Sequence, residues 1–200
     1  MNSESIYPDW LNATLASDAA EGLGVMPGFI QSLKPNSRVV GPAFTVLACQ
    51  DDNSAIVRAV AAPPPLGCVI VVAGMSTSRT ATIGGLMGLE MQNLGVVGLV
   101  TNGLIRDAVE LRELDLQVWC RGTTPIASAK RNPGELGIPL TIGSALVRDG
   151  DLVIADDDGV VVWPKEDIEK LLEKAKEKLD KDNARLSRLL EAKKKQGVFQ

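Results

Sequence analysis

Between residues 69 and 120 the chain alternates short apolar runs with stretches whose apolar residues recur at helical spacing, and no other feature constrains the fold as much. Val69 to Ala73 is a continuous apolar run, the pattern of a strand buried on both faces. Thr82 to Leu94 predicts a helix, Val96 to Thr101 a second strand, Asp107 to Leu114 a second helix and Gln117 to Cys120 a third strand. Strands that alternate with helices in this way pair in parallel, because each helix carries the chain back to the start of the next strand. The composition agrees: 45% of the residues are hydrophobic but only 4% aromatic, so the core must be built from Val, Leu, Ile and Ala.

The flanking segments are of mixed kind. Residues 12–21 predict a short helix with Asn12 or Thr14 as its N-cap. Val39-Val40 and Ala43 to Ala48 read as strands on either side of Gly41-Pro42, and Asn53 to Ala61 as a helix ended by three prolines, 63 to 65. Toward the C-terminus, residues 144–147 and 152–155 read as strands flanking the turn Asp149-Gly150, and Gly159 to Trp163 as a strand after the acidic turn Asp156-Asp157-Asp158. Pro164 then opens a long helix with apolar residues at 168, 171, 172, 175, 179, 186, 189 and 190. A helix that long on a small domain packs on a neighbouring subunit. With no repeat and no linker, residues 1–200 read as one domain, with a core over about 11–164 and the long helix over about 165–195.

Charge and residue inventory exclude several functions. The net charge is −4, and the one basic excess lies in residues 165–195, where 11 Lys and Arg face 8 Asp and Glu in a mixed-sign helix. A nucleic-acid partner is not expected of such a surface. No apolar run approaches the ~20 residues a membrane span needs, so no membrane partner is expected either. There is no histidine, which removes Ser-His-Asp and Cys-His catalysis and any imidazole zinc site. Acid–base chemistry is left to carboxylates, Lys, Tyr7, a thiol or metal-bound water. Cys49, Cys68 and Cys120 are odd in number and widely spaced, and Met1 to Trp10 carries no signal pattern, so a cytoplasmic protein with reduced thiols is expected.

The candidate chemistry lies in two adjacent strand-to-helix connections. The first, Ala73 to Gly85, is rich in Gly, Ser and Thr and enters a helix, so its backbone N–H groups could receive a carboxylate or phosphate. The same residues also fit a plain connecting loop. The second runs from Thr101 to Glu110, with Arg106 and Asp107 where the strand gives way to the helix. Ligands of α/β sheets bind beyond the carboxyl ends of strands. An Arg there can hold a carboxylate bidentately and an Asp can hold a hard divalent ion, while Asp107-x-x-Glu110 is equally a helix-capping box. The run Asp156-Asp157-Asp158-Gly159 reads as a charged turn rather than a metal cluster.

Three segments together resemble the family that groups class II pyruvate aldolases, of 4-hydroxy-4-methyl-2-oxoglutarate aldolase type, with the regulator of ribonuclease activity A. These are residues 37–46; Gly95-Val96-Val97-Gly98 leading to Asn102-Gly103-Leu104-Ile105-Arg106-Asp107; and residues 150–162. The resemblance implies an α/β/β swivelling-type domain with mixed sheets, assembled as a homotrimer or hexamer with sites between subunits. It implies a carbon–carbon lyase that cleaves or decarboxylates a small 2-keto acid with magnesium or manganese. Arg106 would grip the keto acid as a catalytic residue, together with the backbone of Thr82, Ile83, Gly84, Gly85 and Leu86. Asp107 would hold the metal and act in catalysis. The family pattern is an acid, twenty residues, then Arg-Asp, and the position twenty-one before Arg106 is here Gly85. The family's usual Asp before Gly is Asn102, able to offer the metal one neutral oxygen. A cation would therefore be weakly bound or absent, and a non-catalytic regulatory or binding protein on the same scaffold is the alternative.

Overall fold

The computed structural model describes residues 6–196. In chain order its elements are α1 (Ala13–Ala19), β1 (Gln31–Ser32), β2 (Val39–Leu47), α2 (Ser54–Ala61), β3 (Val69–Ala73), α3 (Gly85–Asn93), β4 (Gly98–Thr101), β5 (Leu104–Ile105), α4 (Ala108–Glu113), β6 (Gln117–Cys120), β7 (Gly122–Thr123), β8 (Glu135–Leu136), β9 (Leu140–Ile142), β10 (Ala145–Val147), β11 (Leu152–Asp156), β12 (Gly159–Trp163) and α5 (Ile168–Gln196).

The expected βαβ units form the centre of the sheet. β2, β3, β4 and β6 lie side by side and parallel, with Ala43 opposite Val69, Val69 opposite Gly98 and Gly98 opposite Gln117. The crossovers all step the same way along the sheet, so α2, α3 and α4 lie on one face of these strands. There they bury Ile56, Val60, Met91 and Leu111 against Val46, Ile70, Val72, Leu99 and Val118. The opposite face of the sheet packs Val71, Val100 and Trp119 against the small hairpin of β9 and β10.

Antiparallel strands complete the sheet. β2 is one strand, not two: Val39 to Pro42 pair with β11, and Ala43 to Leu47 with β3. Pro42, which has no N–H to donate, sits where the ladder changes partner. β11 also pairs with β12 across the acidic turn. Each acid in that turn serves the fold: Asp156 accepts from the Ala13 N–H, Asp157 from the Asn36 and Ser37 N–H groups, and Asp158 from the Thr14 hydroxyl. The expected hairpin between residues 144–147 and 152–155 does not form. β10 turns back onto β9, with Ala145 opposite Ile142.

α1 begins at Asn12, whose side chain accepts from the Leu15 N–H. It is held against β12 by the Trp163 indole, which donates to the Ala16 carbonyl. The first half of the long helix covers α1 within the same chain through Ile168, Leu171, Leu172, Ala175 and Leu179. Only the second half, with Leu186, Leu189 and Leu190 each more than half exposed, is left with an unpartnered stripe. No helix among the described residues is long and apolar enough to cross a membrane.

Candidate functional site

Both connections singled out in the sequence leave the carboxyl edge of the parallel strands, and the fold joins them. Ala81 bridges Leu104, the Thr82 N–H donates to the Leu104 carbonyl at 2.6 Å, and the Arg106 N–H donates to the Ile83 carbonyl at 3.0 Å. Asn53, buried, steadies the loop by donating from Nδ2 to the Thr82 carbonyl at 3.1 Å. Gly88 lets α3 and α4 approach closely, since a Cβ there would stand 2.3 Å from Leu111 Cδ2. Residues 84–89 are thereby laid against residues 106–114.

Most of the loop amides expected to receive an anion are already engaged. Asp51 accepts from the Arg79 and Thr80 N–H groups, and these bonds, the Arg79 amide's foremost, hold its carboxyl below the usual range despite desolvation. The Ala81 N–H goes to the Ile126 carbonyl. Helix α3 begins at Gly85, three residues later than predicted, because Thr82 and Ile83 are buried and tied to the neighbouring connection. Their amides therefore do not point out of a helix N-terminus. Of the predicted set, Gly84, Gly85 and Leu86 remain at the surface. The Leu86 N–H lies in the first turn of α3, where no carbonyl of its own helix can accept from it.

Arg106 and Asp107 lie across the Gly84-Gly85 backbone. A Cβ on Gly84 would stand 2.4 Å from Asp107 Oδ2 and 2.9 Å from Arg106 Nε, so only glycine leaves room for the pair. Asp107 Oδ2 accepts from the Gly85 N–H at 3.0 Å and lies 3.5 Å from Arg106 Nε. The predicted capping box is not formed. Asp107 stands at the N-terminal cap of α4 but in the left-handed region, φ 54°, and makes no side-chain bond to that helix. Its carboxylate caps α3 instead. A carboxylate at that helix start also meets the positive end of the helix dipole. The two side chains are 43% and 41% exposed, open enough to meet a ligand.

Beside the pair lies a cleft of about 340 Å³ lined by Gly85, Leu86, Leu89, Asp107, Glu110, Glu113 and Leu114. Sequence reading took Glu110 only as a capping partner and did not single out Leu89, Glu113 or Leu114. The i, i+3 spacing of 107, 110 and 113, and of 86 and 89, is the signal that put them on facing helix sides. A second cleft, of about 310 Å³ between α1 and β12, lies away from Arg106. Of its polar side chains, Thr14 is paired with Asp158 and Asp18 with Lys178 of α5.

The residues of one chain do not fit a dedicated divalent-metal site. Asn102 is buried and its Oδ1 accepts from the Met75 N–H at 3.0 Å, so the oxygen expected to face a cation fixes the loop after β3. Asp107 has one oxygen engaged by Gly85, and Gly85 itself brings no carboxylate. Among the described residues no three Asp, Glu or Cys side chains gather closely enough to hold an ion. A hard cation needs several oxygens, and one half-engaged carboxylate is a poor host.

Arg106 and Asp107 thus form a basic-acidic pair on a glycine cradle at the carboxyl edge of the parallel strands. The chain belongs to the RraA-like family, Aldolase/RraA, whose pattern it matches over residues 13–162. A Halalkalibacterium halodurans protein named "putative 4-hydroxy-4-methyl-2-oxoglutarate aldolase" is 39% identical over 172 residues, spanning 86% of this chain and 81% of that protein. A Burkholderia multivorans protein of the same name is 36% identical over 144 residues, 72% of this chain and 87% of that one. Among solved structures, Streptomyces coelicolor RraAS2, described as an unusual member of the RNase ES inhibitor RraA family, superposes with a TM-score of 0.79 at 28% identity over 89% of this chain and 93% of its own. The RNA-processing inhibitor RraA from Thermus thermophilis gives 0.70 at 31% identity over 78% and 93%.

Proposed function

We propose that the chain is a carbon–carbon lyase acting on a small 2-keto acid. The observation that carries this reading is the Arg106–Asp107 pair held over Gly84 and Gly85, beside an open cleft and the free first-turn amide of α3. The planar guanidinium grips the substrate carboxylate. The N-terminal amides of α3 offer hydrogen bonds and a positive dipole end to the oxygen that becomes negative as an enolate forms. Asp107 orients Arg106 and fixes the start of α3. No step is assigned to a cation, since the donor set does not fit one. The homo-oligomeric state and the cytoplasmic setting belong to the same proposal. The unpaired cysteines support the latter and the bare stripe on α5 the former.

Enolisation is the step common to any such lyase, and exchange of the pyruvate methyl protons in deuterated water reports it directly by NMR. We expect exchange by the wild type that is lost in Arg106→Lys and Asp107→Ala. Exchange abolished by a chelator would mean that the assembled protein completes a metal site after all. Pyruvate binding without exchange would replace the lyase with the second reading, a regulatory or binding protein. That reading is favoured by the side chains at 85 and 102, neither of which brings a carboxylate.

A further inference from the structure

The second half of α5 is an arm with no cover from its own chain. From Asp180 to Ala192 every side chain is exposed, and Leu186, Leu189 and Leu190 form a stripe at i, i+3, i+4 spacing. We infer that this arm seats in the groove between α3 and α4 of a second copy of the chain, in a head-to-tail contact that closes into a ring and walls in the cleft beside Arg106 and Asp107. The inference rests on the homo-oligomeric part of the reading above and not on the choice of reaction.

The two walls of the groove differ. α3 presents Leu86, 87% exposed, and Leu89, 42% exposed, while α4 presents Glu110 and Glu113, with Leu114 at the end. The ion pairs among the described residues include neither glutamate. Lys34 stands at the Leu114 end, its Nζ on the Leu114 carbonyl, and pairs with neither. The arm matches these walls. Leucines at i, i+3 and i+4 are the anchors of a helix laid in a groove. At about 3.6 residues per turn, Arg185 and Arg188 fall on the flank of the stripe next to Leu189, with Glu191 on the far side. Neither arginine is in an ion pair among the described residues. Arg185 and Arg188 are three residues apart, as are Glu110 and Glu113, so both pairs are spaced by about 4.5 Å along their helices. With the leucines in the groove, the basic flank can face the acidic wall.

The arm cannot reach the groove of its own chain. Lys174 pairs with Glu21 and Lys178 with Asp18, so α5 runs antiparallel to α1 and out past its start. The first half of α5 is fixed over β11 and β12 in the cluster that holds Leu152, Ile154, Val161 and Trp163. The groove belongs to the helices before and after β4, and in the sheet β4 stands beyond β3 and β2 from β11. Strands lie about 4.8 Å apart, so the two places are roughly 15–20 Å from each other. α5 is one continuous helix to Gln196, and without a kink its second half carries on along the axis of the first. A second copy must therefore supply the arm. Arm and groove are different surfaces, so the contact is heterologous, and such contacts form rings when the rotation closes. Each cleft then has its walls from one chain and its roof from the next.

The experiment is sedimentation velocity of the full chain across a dilution series, with circular dichroism to show that each variant is folded. Glu110→Lys/Glu113→Lys and Arg185→Glu/Arg188→Glu each set like charges against each other and should raise the dissociation constant by on the order of tenfold to a hundredfold. The chain with all four reversals restores opposite charges with the signs exchanged, and should assemble as the wild type does. Leu86→Ser/Leu89→Ser, on the receiving side, should weaken assembly by roughly tenfold or more. Assembly indifferent to either charge-reversed double variant would overturn the inference, as would dissociation of both with no recovery in the chain that carries all four changes. A monomeric wild type would overturn it together with the homo-oligomeric state. Exchange of the pyruvate methyl protons, measured on the same samples, reports the lyase reading separately. An assembled wild type without exchange, whose charge-reversed variants dissociate and recover as expected, would refute the lyase and uphold the arm contact.

Discussion

Gly84→Ala is the most direct test of the cradle. Gly84 is extended, with φ −133°, so alanine can adopt its backbone without strain, and any effect must come from the added methyl. That methyl would stand 2.4 Å from Asp107 Oδ2, so the oxygen must retreat by about 1 Å to reach ordinary contact. A retreat of that size stretches the 3.0 Å bond from the Gly85 N–H past the useful range and unseats Arg106, whose Nε would stand 2.9 Å from the methyl. Losing a hydrogen bond to a charged group costs about 1.5–3 kcal/mol, and losing the exposed Arg106–Asp107 pair at most about 1 kcal/mol. The smaller entropy of an unfolded alanine offsets about 0.4–1 kcal/mol. The net is about 1–3 kcal/mol, or roughly 3–9 °C in Tm for a chain of this size. Gly28→Ala is the control, because a Cβ there meets nothing within 4 Å. The assays are thermal unfolding and pyruvate titration. Gly84→Ala should lose pyruvate binding by at least tenfold while remaining folded, with Gly28→Ala unchanged. Full pyruvate affinity in Gly84→Ala would refute the claim that the pair over this glycine holds the carboxylate.

Three further outcomes are expected. Asp52 is buried, and although burial raises its carboxyl, bonds from Ser54 and from the Arg131 and Asn132 N–H groups outweigh it and hold the pKa at about 2. Because this lies below the ordinary 3.8, its stabilisation is complete above that value and is lost as pH falls from there toward 2; Asp52→Asn should lower Tm at pH 7 and have little effect near pH 2, and an equal loss at both would count against it. Replacing Leu186, Leu189 and Leu190 with Ser should shift the protein toward monomer in sedimentation velocity without unfolding it, whereas a wild type that is already monomeric at micromolar concentration would show that the bare stripe on α5 has no subunit partner. Gly85→Asp, which needs Glu110 to yield a few tenths of an ångström because the added Cβ stands 3.0 Å from Glu110 Cβ, should raise manganese affinity 10- to 100-fold by electron paramagnetic resonance, and unchanged affinity would mean that a carboxylate at this position is not what the site lacks.

The elements of the central sheet were legible because their signals are local. The apolar run at 69–73 and the helical stretches expected at 53–61, 82–94 and 107–114 announce strand and helix without any distant contact, and the structure sets the helices at 54–61, 85–93 and 108–113. What could not be read was pairing. Gly41-Pro42 looks like a break, yet it is where one strand passes from β11 to β3. The turn Asp149-Gly150 suggests that β10 pairs with β11, but β10 pairs with β9, which is only three residues long and carries no usable pattern. The long amphipathic stripe on α5 suggests a subunit contact over its whole length. Half of it is claimed by α1, a helix some 150 residues earlier in the chain.

The site shows the same division. That Arg106 and Asp107 stand at a strand-to-helix junction follows from periodicity, but what Asp107 does there does not. Its local pattern, an acid three residues before a glutamate at a helix start, favours capping of its own helix. The backbone at Asp107 instead takes a left-handed conformation, which aspartate tolerates better than most side chains but still at a cost on the order of 1 kcal/mol. The conformation turns the carboxylate away from α4, and the surroundings that hold it are the Gly85 N–H and Arg106, both reached through long-range packing. The same packing explains the glycine pair. The acid of the family pattern would project toward Glu110, whose Cβ stands 3.0 Å from where a side chain at 85 would begin. In this chain that corner is held from α4 by a glutamate on the cleft wall, so the absence of an acid at 85 changes the charge pattern of the cleft and does not simply subtract from it.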